Sequence, residues 1–279
     1  MLLAIAAVLA MASVPVLVKS TSANEVTIGV ARLAIAVLAF TPFVIGRSQL
    51  LRLKISDWGM LMAIGLVFGA HWLSYFYSIK LATASIGAMA VSTYGVQYLL
   101  LAWIIRRERL TLFESTAVGV CFLGCMIVAP EISLNNEMTR GVLLGLFSGL
   151  LYAVLPFLHQ RSQHLSTVVR SWGQFLFALL FFMPLLPASN WQLTNLDFYK
   201  LITLGLLCTV LAHGLWVKAS TELPALFTSL IYYLYVPISM LLSVLLLGEA
   251  LTPEKLTGAA MIVAASVAIT IYRWRVVDS

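Results

Sequence analysis

The segment GAHWLSYFYSIK, Gly69 to Lys80, sets His71, Trp72, Ser74, Tyr75 and Ser78 among apolar neighbours. Side chains three and four residues apart share a helical face, so His71, Ser74 or Tyr75, and Ser78 lie together with Trp72 beside them. The same spacing gathers Tyr94, Gln97 and Tyr98; Ser148, Tyr152 and His159; and Thr209, His213 and Trp216. It also draws one long stripe of Thr228, Tyr232, Tyr235, Ser239 and Ser243. Rings, hydroxyls, an amide and imidazoles are the chemistry of hydrogen bonding and ring contact. Catalytic motifs are missing: the chain has no HExxH, no GxSxG, no P-loop and no aspartate pair deep in an apolar segment. His71 and His213 would bind a metal only with further ligands, which the spacing does not supply, so no enzyme activity, metal or cofactor is expected.

The elements that position these groups follow from composition. Hydrophobic residues make up 61% of the chain and charged residues 10%, where a soluble domain carries about 45–50% and about 25%. This composition predicts an all-α polytopic membrane protein, each span needing about 20 apolar residues. Ten spans are expected: Leu2 to Val18, Val26 to Ile45, Trp58 to Ile79, Ala84 to Ile105, Leu112 to Ala129, Gly141 to Leu158, Val168 to Leu186, Tyr199 to Ala219, Leu226 to Leu247 and Leu256 to Trp274. The first lacks a basic leader and a cleavage-like site, so it is taken as a true span and not a signal peptide. Lipid cannot satisfy the polar faces listed above, which directs them into the bundle or a wet cavity.

Charge sets the orientation. Arg47, Arg52, Lys54, Arg106, Arg107, Arg109, Arg161, Arg170, Lys218, Arg273 and Arg275 fall on one side; Lys19, Lys80, Arg140, Lys200 and Lys255 fall on the other. The richer side is cytoplasmic by the positive-inside rule, which places both termini inside. The net charge of +6 is then a topology signal rather than a nucleic-acid footprint. Arg32 is the sole charge well inside a span; bonds to backbone carbonyls or snorkelling are expected of it ahead of a place at the anion-binding end of a site. Cys121, Cys125 and Cys208 are expected to be small packing residues.

The chain also repeats. Pro156 follows Pro15, Glu249 follows Glu108, Leu251 follows Leu110 and Thr252 follows Thr111 by the same 141 residues, and Pro184 follows Pro42 by 142. The implied units are 1–131 and 132–279, five spans each. Because five is odd, the second unit enters the membrane from the opposite face, giving two inverted repeats with a substrate site near the midplane between them.

Two such halves, closed by the turns RRERLT (Arg106 to Thr111) and LGEALTPEKLTG (Leu247 to Gly258), resemble the EamA-type branch of the drug/metabolite transporter superfamily over nearly the whole chain. Within it, the aromatic-rich third span resembles that of the YddG-type exporters of aromatic amino acids. The first half departs from the pattern at Val96, where the second has Pro237, and at Ala117, where it has Gly258. The resemblance implies export of small amphipathic metabolites from the bacterial inner membrane; because every acidic residue falls in a loop or at a span end, a facilitator or exchanger is expected, and the alternative is a proton-coupled multidrug or metabolite exporter. Expected partners are a small-molecule substrate and the bilayer, with the protein a monomer or weak dimer.

The substrate is expected at His71, Trp72, Tyr75, Ser78, Tyr94, Gln97, Tyr98, Tyr152, His213, Trp216, Tyr232, Tyr235 and Ser239, although a serine or threonine in a span also bonds back to its own helix or to a neighbour. Trp58, Trp191, Tyr199, Tyr272 and Trp274 are placed at span ends as interfacial anchors. A lining of rings and hydroxyls without a deep carboxylate suits zwitterionic amino acids better than cationic drugs. Pro15, Pro156 and Pro237 each remove a helix hydrogen bond and are expected to act as hinges, while Gly141, Gly145 and Gly149 are expected to allow close helix packing ahead of a dimer contact.

Overall fold

The structure, a computed structural model, describes residues 2–45, 50–107, 109–128, 133–212, 215–216 and 231–277. Among the described residues every regular element is helical. In order these are α1 (Leu2–Ala12), α2 (Val14–Ser20), α3 (Glu25–Ile45), α4 (Ile55–Leu81), α5 (Ala84–Ser92), α6 (Tyr94–Arg106) and α7 (Leu112–Val128). There follow α8 (Glu137–Arg161), α9 (Thr167–Phe182), α10 (Asn195–Gly205), α11 (Tyr235–Leu247) and α12 (Pro253–Val277). A π-helical stretch, Leu206–Leu211, continues α10.

Among the described residues, seven stretches are long and apolar enough to cross a bilayer: Leu2–Ser20, Glu25–Ile45, Ile55–Leu81, Ala84–Ile105, Glu137–Arg161, Thr167–Ala188 and Pro253–Arg275. Leu112–Val128 and Ile231–Leu247 are shorter apolar helices. Leu38, Phe43, Ile104, Leu245 and Leu246 are exposed on the outside of the bundle, a surface that only lipid tails would solvate well. The chain is a multi-pass membrane protein. The end of the expected span Tyr199 to Ala219 and the start of that from Leu226 lie outside the described residues.

Among the described residues, three expected spans are interrupted. The first breaks at Ser13, whose hydroxyl donates to the Ala10 carbonyl at 2.7 Å while Pro15 lacks the N–H that would continue the ladder. The fourth breaks at Thr93, where no proline is present; there the Thr93 hydroxyl donates to the Ala90 carbonyl at 2.7 Å. A third interruption, at Leu234, lies 141 residues beyond Thr93. The left-handed residues that end α6 and α11, Arg107 (φ 56°) and Gly248 (φ 66°), are separated by the same interval.

The long helix α4 packs against α3, α5, α8 and α9, while α5 meets α8 and α11, α7 lies on α12, and α10 lies on α3. Gly141, Gly145 and Gly149 of α8 allow close approach to the neighbouring helices. A Cβ on Gly141 would come within 2.5 Å of the Ala82 Cβ, and one on Gly145 within 2.5 Å of the Ala90 Cβ and 2.7 Å of Ser78 Oγ. The glycine spacing thus serves packing within the chain.

Half-buried and buried lysines and carboxylates lace together the end of the bundle that holds Lys19 and Lys80. Lys19 Nζ donates to the Lys80 and Ala82 carbonyls (2.8 and 2.7 Å), and Lys80 Nζ and Lys200 Nζ donate to the carbonyls of Thr21 and Ser20. Asp197 accepts from Thr21 Oγ1 at 2.9 Å and Ser22 Oγ at 2.7 Å. Glu249 accepts from the Ala84 N–H at 2.7 Å and Ser85 Oγ at 2.6 Å, so that it caps α5 beside Lys255.

Candidate functional site

A cavity of about 60 Å³ lies where α1, α2, α3, α4, α5, α8, the π-helical stretch and α11 converge. Its wall takes His71, Trp72, Tyr75, Tyr152, Tyr232 and Tyr235 from the sequence-derived set, together with Met11, Val14, Arg32, Phe68, Val91 and Cys208.

Serine and imidazole fix the α4–α8 side. Ser148 Oγ donates to the His71 carbonyl at 3.0 Å, leaving its lone pairs for the ring nitrogen Nδ1 at 2.7 Å. That arrangement assigns the proton to Nδ1. The His71 ring stacks on Tyr152 (centroids 4.8 Å apart, planes 26° apart) and lies parallel to Tyr75 at 6.1 Å. Tyr75 and Tyr235 join hydroxyl to hydroxyl across the cavity. Tyr232 lies parallel to Tyr235 at 5.8 Å and meets Tyr94 edge to face at 5.1 Å. Such ring pairs contribute about 0.5–1.5 kcal/mol each beyond the area they bury.

Arg32 is 3% exposed. At 1.5 Å per residue its Cα is about 10 Å along α3 from Glu25, yet the side chain does not run to the membrane surface, and its Nε bonds a hydroxyl and not a backbone carbonyl. Its guanidinium lies 4.1 Å from the Trp72 ring centroid and 5.5 Å from that of Phe76, and Nε donates to Thr209 Oγ1 at 3.0 Å. Thr209 gives its own proton to the Leu204 carbonyl at 2.7 Å, a five-residue reach that belongs to the π-helical turn. Ser13 Oγ lies 3.3 Å from Cys208 Sγ on that turn. A charged residue alone in a span was the sequence signal for Arg32, and Thr209 stood on the face shared with His213 and Trp216; Cys208 was expected only to pack, and it is the π-turn that carries it to the wall.

The remaining candidates lie elsewhere. Tyr94 and Trp216 stand behind the wall, packed on Tyr232 at 5.1 and 5.4 Å. Tyr98 stacks on Phe157 at 4.7 Å. Gln97 Nε2 donates to Thr93 Oγ1 and the Leu146 carbonyl at 2.8 and 3.1 Å, in a contact between α6 and α8. Ser78 faces Gly145, and Ser239, fully buried, accepts at its carbonyl from Ser243 Oγ at 2.7 Å. Ser74 bonds back to the Ala70 carbonyl at 2.8 Å, and His159 Nε2 lies 2.9 Å from Gln174 Oε1. His213 and Thr228 lie outside the described residues. Pro15 and Pro237 lie just beyond the breaks at Ser13 and Leu234, whereas α8 runs through Pro156 uninterrupted.

None of the described carboxylates lines the cavity. Glu25, Asp57, Glu114, Glu137, Asp197 and Glu254 sit in the first turns of helices, and Glu249 lies in the turn before α12. Among the described residues, no group of three or more His, Cys, Asp or Glu is placed to hold a metal ion.

Comparison with known proteins adds three findings. Residues 1–129 and 139–271 match the model of the EamA-like transporter family. A protein of Bacillus subtilis (strain 168) described as "Uncharacterized transporter YxxF" is 22% identical over 216 residues, covering 76% of this chain and 69% of that protein. A solved structure described as "Crystal structure of protein" superposes with a TM-score of 0.69 at 17% identity, covering 99% of this chain and 97% of that one, so the fold is shared.

Proposed function

The chain belongs to the EamA-like transporter family, whose members are transporters and not enzymes, and from that premise we propose that it moves amphipathic metabolites through the ring-lined cavity, amino acids with an aromatic preference first among them. The observation that carries the reading is the wall itself: Phe68, His71, Trp72, Tyr75, Tyr152, Tyr232 and Tyr235 surround one small space beside Arg32. Ring faces bind an apolar or aromatic body, and hydroxyls and imidazole orient a polar head.

Ten spans in two inverted halves, 1–131 and 132–279, with both termini cytoplasmic, belong to this reading. Support comes from the two segments matched by the family model and from paired features 141 residues apart, Thr93 with Leu234 and Arg107 with Gly248. The packing is also reciprocal, since α4 lies on α8 and α9 while α10 and its π-turn lie on α1 and α3. Alternating access follows from size. A cavity of about 60 Å³ is well below the roughly 300–1,000 Å³ of sites that hold drug-sized ligands, so its walls must part to load. Pro15, Pro156 and Pro237 are the hinges of that motion, and the laced end at Lys19, Lys80, Asp197 and Glu249 is the outer closure. The bacterial inner membrane is the site of action, export is the direction the resemblance implies, and a monomer or weak dimer is the working unit.

The test is counterflow in proteoliposomes with labelled Phe, Trp, Tyr, Met and Thr. The three aromatic amino acids are expected to exchange ahead of Met and Thr, and Trp72→Ala to lose that advantage. Exchange of all five at the level of protein-free vesicles sinks the proposal.

A further inference from the structure

Among the described residues Arg32 is the one cationic side chain in the cavity wall, and no carboxylate meets it. Its Nε is held by Thr209, whose own proton is committed to Leu204, so the guanidinium is fixed in orientation without its charge being neutralised. The Trp72 and Phe76 faces cushion the cation on one side. A charge this deep in a membrane bundle is costly unless an opposite charge joins it. The guanidinium carries a planar fork of donors that matches the two oxygens of a carboxylate, and here only Nε is occupied by a described partner. Thr209 stands on a π-helical turn, a distortion that recurs at functional sites.

The same wall treats the other end of an amino acid differently. None of the twelve described residues that line the cavity is acidic, so among them an ammonium group meets only neutral hydroxyls, an imidazole and ring faces, with the Arg32 charge opposing it. We infer that Arg32 binds the carboxylate of the substrate and that the site selects amphipathic monocarboxylates, for which the ammonium group is dispensable. This rests on the transport reading above and deepens it. Order of preference follows from charge: an aromatic carboxylic acid binds at least as well as the matching amino acid, and the matching amine binds worst.

Binding to the purified protein, followed by thermal shift in detergent with 3-phenylpropionate, phenylalanine, phenethylamine and 3-phenylpropanol, tests this without needing transport. The carboxylate and phenylalanine are expected to stabilise the protein, and the amine and alcohol to bind at least tenfold more weakly. Arg32→Gln should lose tenfold or more in carboxylate affinity, Arg32→Lys should recover part of it, and Thr209→Val, which keeps the charge but frees the guanidinium, should lose severalfold. An amine or alcohol that binds as tightly as the carboxylate overturns the inference, as does a folded Arg32→Gln protein with unchanged carboxylate affinity. If Arg32→Gln does not stay monodisperse, the ligand series on the wild type and on Thr209→Val decides. Counterflow separates this inference from the parent reading. Exchange of 3-phenylpropionate without any exchange of amino acids leaves Arg32 standing and removes the amino-acid preference; amino-acid exchange unchanged in Arg32→Gln does the reverse.

Discussion

Ser148 Oγ lies 2.7 Å from His71 Nδ1 and 3.0 Å from the His71 carbonyl, a double contact that ties α8 to α4 at the edge of the cavity. It exists because glycines at 141 and 145 bring the two helices close. Ser148→Ala removes both contacts of the hydroxyl, at about 0.5–1.5 kcal/mol each, while His71 Nδ1 keeps the Ser148 carbonyl at 3.0 Å and the His71 carbonyl keeps Ser74 Oγ at 3.0 Å. We expect thermal unfolding in detergent to fall by several degrees, with exchange slowed severalfold. An unchanged midpoint means that the contact is not formed in the membrane protein.

Trp72 and Tyr75 face the cavity from α4, one under the Arg32 guanidinium and the other bonded to Tyr235. Alanine at either is expected to cut counterflow of aromatic solutes tenfold or more at normal levels of inserted protein. Tyr75→Phe keeps the ring and loses only the hydroxyl contact, so a smaller loss is expected. Normal counterflow by both alanine variants removes these residues from the site.

The hinges are expected to differ among themselves. The helix breaks at Thr93 without proline, so the matching break at Leu234 does not depend on Pro237 alone. Pro15→Ala and Pro156→Ala restore a helix hydrogen bond and should slow turnover more than they weaken binding. Pro237→Ala should have the mildest effect. Turnover and binding constants measured on the same vesicles separate these outcomes, and loss of affinity at constant turnover would point to packing.

Burial by itself would push the Glu249 carboxyl up, but hydrogen bonds from Ser85 and Ala84, with Lys255 beside it, hold it below the usual carboxylate range. A depressed carboxylate stabilises the folded form at pH above its unfolded value, taken as 4.5, and that contribution is lost as pH falls through the lower folded value. Glu249→Gln should therefore unfold several degrees below the wild type at pH 7, since hydrogen bonds to a charged group contribute about 1.5–3 kcal/mol. The gap should narrow progressively as pH drops below 4.5. A gap independent of pH would show that charge plays no part in this closure.

Every described carboxylate stands at a helix start or in a turn. Exchange or facilitated diffusion without obligatory proton coupling is the expected behaviour, because a coupled carrier needs a group that loads and releases a proton in the pathway. An imposed pH gradient across proteoliposomes should leave substrate at equilibrium. Uphill accumulation that His71→Gln abolishes while exchange survives would defeat this expectation.

The sequence by itself determined the solvent and the elements. An apolar excess over long stretches leaves a chain no alternative to membrane helices, because lipid satisfies no backbone group. Spacing of three and four also picked out the face of α4 that carries His71, Trp72 and Tyr75, and identified Tyr152, Tyr232 and Tyr235 on their own helices. What spacing cannot supply is which neighbour a face meets. Ser78 shares the stripe of His71, seven residues along, yet it lies against Gly145 because α8 approaches closest there. Gln97 and Tyr98 likewise spend their polarity and their ring on contacts between helices. Arg32 shows the converse. Its position on α3 allowed a surface-seeking side chain or a buried one. The choice was made by Trp72 on α4 and by Thr209 on a π-turn, partners 40 and 177 residues away that only the tertiary packing brings within reach of its charge.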